Sequence, residues 1–443
     1  MLRSYATRSS RWFRAATACA LIVPAFTATA AGDLGKAALA VNDQVIKWRH
    51  DLHRHPELSN RETRTAGLVA DHLRALGFDE VQTGIAHTGV VGTLKGGKPG
   101  PVVALRADMD ALPVTERTGL PYASTVTTEY RGQQVGVMHA CGHDAHTAIL
   151  MGVAQVLADR RDELPGTVKF IFQPAEEGAP EGEEGGARLM LEEGIFTSGA
   201  QPSAIYGLHV APFPSGMIGY RAKGAMAASD SFEIVVKGKQ THGSMPWGGV
   251  DPVVVAGQIA NALQLIPARQ LDITKAPAVI SVGAINGGIR HNIIPSEVTM
   301  IGTIRTFDSP MQDDLHQRLR NTAEHIASAA GATAEVTIDR GYPVTFNDAD
   351  LTARAVPVLK SVAGSDQMVV EMPPAMGAED FSYYQKEVPG LIFMLGVNPE
   401  GVAMGGAAPN HSPHFLVNDD ALKVGVEALA TLAVEYLKAN TPD

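Results

Sequence analysis

Nine consecutive residues, Met138-His139-Ala140-Cys141-Gly142-His143-Asp144-Ala145-His146, carry three imidazoles, one thiol and one carboxylate. Gly142 lets the backbone turn tightly between Cys141 and His143. A thiolate and an imidazole two positions apart can both reach one metal centre, because Cys, His and carboxylates are the usual ligands of zinc-like ions. On its own the triplet describes a buried thiol beside a surface histidine equally well. Further donors lie downstream, at or just past the ends of apolar runs: Glu177 after Val168 to Phe172, His209 after Ala204 to Gly207, and His411 in Asn410-His411-Ser412-Pro413-His414. Cys141, His143, Glu177, His209 and His411 are more donors than one tetrahedral ion needs. They suit two divalent ions a few ångströms apart, which clamp and activate a nucleophile. Glu176 and Glu177 are adjacent, and two adjacent carboxylates rarely serve one purpose. In a two-ion site one of them ligates and the other, unligated, takes a proton from the attacking water.

The elements that must position these groups alternate. Lys36 to Trp48 has helical spacing of apolar residues, and Asn60 is a plausible cap for a second helix from Glu62 to Leu76. Histidines 50, 53 and 55 do not share one helical face, and the arginines between them indicate a solvated face. Val90 to Leu94 and Pro101 to Ala107 read as strands, the second running into Asp108-Met109-Asp110. Asp144 onward is a helix, Val168 to Phe172 and Ala204 to Gly207 are strands, and Ala187 to Glu193 is a short helix. Carboxylates and histidines at strand ends lie where open α/β sheets build their sites. The expectation is an α/β catalytic domain of three layers with a mostly parallel or mixed sheet.

The pattern changes near Gly219. Strands at Phe232 to Val236, Val279 to Ile285, Glu297 to Arg305 and Ala334 to Ile338 enclose helices from Asp251 to about Leu265 and from Met311 to Ala330. This β-α-β-β-α-β order predicts a ferredoxin-like α+β insert over 219–339. The α/β pattern resumes with a helix at Leu351 to Ala363, a strand at Leu391 to Leu395 and a closing helix at Asp420 to Leu437. The catalytic domain is therefore expected over 31–218 and 340–443.

Residues 1–30 read as a secretory signal peptide. Arg3, Arg8, Arg11 and Arg14 precede a short apolar run, and Ala28-Thr29-Ala30 offers a cleavage site. The apolar run is too short for a stable membrane anchor. The expected protein is exported, periplasmic or secreted, and its formal charge moves from −11 to −15 when the four arginines leave. So acidic a chain has no general basic surface for nucleic acid. Cys141 is then the one thiol left, so no intrachain disulfide can form, and metal ligation is a reason to keep it.

Eight stretches, in order along nearly the whole mature chain, resemble the aminoacylase–carboxypeptidase family of dinuclear metallopeptidases, and within it the branch of indole-acetyl-amino-acid hydrolases and hippurate hydrolases. They are Leu52 to Ser59, Arg106 to Pro113, Met138 to His146, Phe172 to Gly178, Gly207-Leu208-His209, His242-Gly243-Ser244-Met245-Pro246, Gly302-Thr303-Ile304-Arg305 and His411-Ser412-Pro413. The resemblance implies that Cys141, His143, Glu177, His209 and His411 hold the metals and that Glu176 is the general base. It favours His411 over His414 and gives Asp110 the task of orienting a ligand or water. It makes the insert a lid that also forms a homodimer, with His242 reaching the scissile carbonyl and Asn292 and Arg305 near the substrate. Glu379, in Gly377-Ala378-Glu379-Asp380-Phe381, receives no role. Two departures stand out: an acidic stretch at Gly178 to Gly186, which would border the substrate cleft, and Trp247 where relatives often carry histidine.

The reading is an exported metal-dependent amidohydrolase acting on a small-molecule substrate, an N-acyl amino acid or short peptide. The alternatives are a dipeptidase or carboxypeptidase, and a non-catalytic metal- or ligand-binding protein. One thiolate among imidazoles and a carboxylate suits Zn²⁺, with Mn²⁺, Co²⁺ and Ni²⁺ open.

Overall fold

The computed structural model describes residues 28–442. Its centre is an eight-stranded mixed sheet. The strands run in the order Glu80–Ile85, Gly89–Lys95, Pro165–Gln173, Lys98–Asp108, Ala204–Ala211, Gly390–Gly396, Ile218–Tyr220 and Val369–Glu371. The four in the middle are mutually parallel. Their carboxyl ends therefore open on one edge, and Asp108, Gln173 and His209 all lie there.

Helices cover both faces. Ala28–Arg54, His143–Ala158, Ala349–Val362 and Leu422–Ala439 pack on one side around Val45, Ile149, Val153, Leu359 and Leu429. The short helices Gly186–Glu192 and Phe381–Glu387 cover the other through Met190, Phe381 and Tyr384. The helix His143–Ala158 is almost wholly apolar after its first turn and is buried nearly all round, as a helix between a sheet and two other helices must be. Three layers form, as the alternation of elements predicted.

The second sheet is antiparallel, in the order Ala278–Asn286, Glu297–Thr306, Ala228–Lys237 and Thr333–Arg340. The helices Pro252–Leu263 and Ser309–Ala329 pack on it through Ile259, Leu263, Leu315 and Leu319. That strand order is ferredoxin-like. Asp251 caps the first helix, accepting from the N–H groups of Val253 and Val254, as its place before Pro252 foretold.

Several local expectations change. The boundary expected at 218/219 falls inside the strand Ile218–Tyr220, which belongs to the large sheet. Asn60 caps nothing: it sits at φ 61° and its amide donates to Glu183 and to the Glu184 carbonyl. Arg49 and His53 are buried, not solvated. They meet Asp144 at 3.0 and 2.9 Å, and Arg49 also holds Asp419 at 2.6 Å. Ala28-Thr29-Ala30, the expected cleavage segment, opens the first helix. The rest of the expected signal peptide lies outside the described residues. Among the described residues no helix is long and apolar enough to cross a membrane.

Candidate metal centre

The Cys141–His143 turn is built by Gly142, at φ 91°, which starts the helix His143–Ala158. A Cβ there would come within 2.3 Å of Val210 Cγ2, so the turn needs glycine for its backbone angle and for its contact with the neighbouring strand. His209, near the end of Ala204–Ala211, faces the turn, its Nε2 3.4 Å from Cys141 Sγ. Its Nδ1 donates to the Val210 carbonyl at 2.8 Å, which frees Nε2 as a lone-pair donor. Burial pushes His209 down to about 4, so it is a neutral ring.

His143 is held differently. Its Nδ1 donates to Asp110 Oδ1 at 3.1 Å, and its Nε2 is buried with no hydrogen-bond partner. That nitrogen lies 3.8 Å from Glu176 Oε2 and 3.9 Å from Glu177 Oε1. Burial alone would lower His143, but Asp108 and Asp110 outweigh it and hold the ring up at about 10. Asp110 fixes the glutamate corner as well. Its Oδ2 accepts from the Glu177 N–H at 3.0 Å and from the Ser59 hydroxyl at 2.8 Å. Ala175, before the pair, is at φ 53° and donates its N–H to buried Glu62 at 2.9 Å.

His411 closes the site from the C-terminal loop. Its backbone N–H donates to the Ala140 carbonyl at 2.8 Å. Its Nε2 approaches Glu177 Oε1 to 3.1 Å, out of line for a hydrogen bond, so this buried oxygen has no partner. His414 points elsewhere, its Nδ1 on the Arg117 carbonyl at 3.0 Å.

Of the five three-donor groups whose ligand atoms lie within 4.8 Å of one another among the described residues, two are made of the expected ligands alone: Cys141, His143 and His209, and Cys141, Glu177 and His411. They share Cys141. Burial pushes this thiol well up, and the Glu177 and Glu176 carboxylates push the same way. A cation is what would make it a thiolate. Unsatisfied His143 Nε2 and Glu177 Oε1, free His209 Nε2 and the thiol together fit a pair of divalent ions. His146 does not join them. Its Nδ1 lies 2.5 Å from Asp108 Oδ1 and its Nε2 accepts from the Val210 N–H at 2.8 Å, so neither nitrogen is free.

Glu176 is not bound in the same way. Its side chain belongs to two other groups, one with His143 and Glu177 and one with buried Glu379 and Asp380. Burial raises it well above the usual carboxylate range, and Glu379 and Glu177 add to that. One guanidinium, Arg106, answers these acids: it donates to Asp108 at 2.6 Å, Glu379 at 3.0 Å and Asp380 at 2.9 Å. Arg106 and the Glu379–Asp380 pair are the residues that the sequence reading left without a function, although both lie in stretches it singled out. Tyr342, two residues past the second sheet, donates to the Glu176 carbonyl at 2.6 Å and is a third.

A cavity of about 560 Å³ opens from Cys141, Glu176, Glu177, His209 and His411, within the usual size of a small-molecule site. His242, Asn292 and Arg305 do not line it. His242 is exposed, with Nδ1 on the Ser244 hydroxyl at 2.8 Å, and pairs with Ile293 beside Asn292. Arg305 bonds the Ser229 hydroxyl at 2.6 Å. The acidic stretch borders a different cavity: Gly178, Pro180 and Glu181 face Pro56 to Ser59 and the hairpin around Tyr130.

The chain matches the model of the peptidase family M20/M25/M40 over residues 104–435. It is 42% identical over 399 residues to thermostable carboxypeptidase 2 of Saccharolobus solfataricus, covering 89% of this chain and 96% of that protein. It is 38% identical over 400 residues to an N-acetylcysteine deacetylase of Bacillus subtilis, covering 90% of this chain and 98% of that protein. A solved dinuclear metal-binding peptidase of the M20 family from Bacillus subtilis superposes with TM-score 0.76 at 38% identity, covering 90% of this chain and 99% of that one. The two curated matches leave only a few per cent of those relatives unmatched, too little for a leader like the one expected at 1–30. The expectation of an exported, periplasmic or secreted protein is corrected accordingly. The chain belongs to the peptidase family M20/M25/M40, as a hydrolase of C–N amide bonds.

Proposed function

We propose that this protein hydrolyses the amide bond of N-acyl amino acids at a two-ion centre held by Cys141, His143, Glu177, His209 and His411, with Glu176 as general base. The observation that carries the reading is the pair of three-donor sets sharing Cys141, with Glu176 beside them and outside both. Two divalent ions in these sets would polarise the scissile carbonyl and acidify the attacking water. Zn²⁺ or Mn²⁺ fits the mixed donors, and Co²⁺ or Ni²⁺ is compatible.

Glu176 takes the proton of the attacking water. The water oxygen bonds to the carbonyl carbon, the C–N bond then breaks, and the same proton passes to the leaving nitrogen, giving a carboxylic acid and an amine that ionise to carboxylate and ammonium. One carboxyl acting as base and then acid needs a pKa near working pH. Burial raises Glu176 and bound cations would bring it back down. Asp110 keeps the His143 ring in the tautomer that offers Nε2.

The second sheet and its helices, within 219–339, are proposed as a lid that also pairs two chains. His242 would then stabilise the developing oxyanion, with Asn292 and Arg305 near the substrate. Their distance from the cavity in this single chain fits a part that must close or be supplied by a second copy. A carboxypeptidase reading is supported by the 42%-identical Saccharolobus relative. A panel of N-acyl amino acids against dipeptides and longer peptides separates the two. Turnover confined to peptides would overturn the N-acyl assignment.

A further inference from the structure

The cavity beside the donors has a mostly apolar lining, with Phe213, Met226, Met372, Pro374, Ile392 and Met394. Its acids, Glu176, Glu177 and Glu379, gather at the metal end. Arg221 is the one lysine or arginine among its lining residues. It follows directly on the strand Ile218–Tyr220, which lies next to the edge strand Val369–Glu371 of the large sheet.

The way Arg221 is held points to an absent anion. It is half-buried. Its Nε donates to the Gly224 carbonyl at 3.2 Å and its Nη1 to the Met372 carbonyl at 3.0 Å. Its own carbonyl accepts from Asn347 at 2.8 Å, so the backbone is pinned too. Among the described residues no carboxylate reaches it within ion-pair distance, and Nη2 makes no hydrogen bond. A guanidinium partly withdrawn from water and met only by neutral carbonyls is incompletely compensated. The two carbonyls fix the plane of the fork and leave one edge to bind, which suits a carboxylate. Arg305, which the family resemblance put near the substrate, is bound to Ser229 and to the Ile304 carbonyl and lines no part of this cavity.

We propose that Arg221 binds the free carboxylate of the amino-acid half of the substrate and so restricts the enzyme to amides that carry one. This rests on the amidohydrolase reading above. The test compares wild type, Arg221→Met, Arg221→Lys and Arg305→Met on hippurate and on its carboxamide. Arg221→Met should raise KM for hippurate about ten- to a hundredfold, the range of one hydrogen bond to a charged group, with kcat within a few-fold. KM for the carboxamide should not move, and Arg221→Lys should recover part of the loss. An unchanged preference for acid over carboxamide in Arg221→Met overturns the proposal. So does loss of that preference in Arg305→Met alone.

A second measurement needs no turnover. Calorimetric binding of hippurate to Glu176→Gln and to Glu176→Gln/Arg221→Met, at equal unfolding midpoints, should differ at least tenfold. Equal binding, or none to either protein, overturns the Arg221 assignment. Hippurate bound through Arg221 but never cleaved by wild type would instead count against the amidohydrolase reading.

Discussion

Asp110 Oδ1 receives the Nδ1 proton of His143 at 3.1 Å, and the opposite nitrogen of that ring is buried without a partner. A ring anchored on one side and unsatisfied on the other is the arrangement the proposed metal ligand requires. Asp110 also takes the Glu177 N–H, so one carboxylate orients a donor and fixes the backbone of a second. Replacing Asp110 by Asn should weaken metal binding about ten- to a hundredfold, the usual cost of losing a partner behind a ligand. Competition with a chelator reads this directly. Unchanged affinity would mean that the contact is incidental.

The sharing of Cys141 has its own consequence. Cys141→Ala removes a donor from both sets and should reduce bound metal below one ion per chain. His209→Ala and His411→Ala each touch one set and should leave about one ion. Metal analysis of dialysed protein distinguishes these cases. A Cys141→Ala protein that retains two ions would show that the thiol bridges nothing.

His242 should matter to turnover and not to metal content. If it stabilises the oxyanion, His242→Ala lowers kcat about a hundred- to a thousandfold, typical of one lost donor, while both ions stay bound. A variant within twofold of wild type would remove the lid from the chemistry.

His53 makes stability depend on pH. Burial would lower it, yet the Asp144 carboxylate and the Glu116 hydrogen bond hold it up at about 9, above its ordinary value of 6.5. A raised folded value means that the fold favours the charged ring. Its contribution is complete below pH 6.5 and is lost as pH rises through about 9. The loss is at most on the order of 3 kcal/mol. Denaturant unfolding from pH 6 to 10 should show this decline in wild type and a flatter profile in His53→Leu. Parallel profiles would contradict it.

Much of the site was legible because its donors sit in short motifs at strand ends. Cys141 and His143 are two residues apart, and Glu176 and Glu177 follow an apolar strand. Gly142 announced the turn before its angle was known. The remainder depends on partners brought together by the sheet. Arg106 is close in sequence to Asp108, but it reaches Glu379 and Asp380 from more than 270 positions away. Arg49 looked solvated because its partners, buried Asp144 and half-buried Asp419, lie 95 and 370 positions further along the chain. The strand Ile218–Tyr220 is three residues long, too short for any periodicity to mark, so the domain boundary was drawn through it.

The central claim is that Glu176 moves the proton while its neighbour Glu177 holds metal. The most direct test is metal content and turnover of wild type and Glu176→Gln, measured together after chelation and after addition of Zn²⁺, Mn²⁺ or Co²⁺. The account predicts two ions per chain in both proteins and turnover at least a hundredfold lower in Glu176→Gln, in keeping with the loss of a general base. A Glu176→Gln protein that binds two ions and turns over within a few-fold of wild type would contradict it.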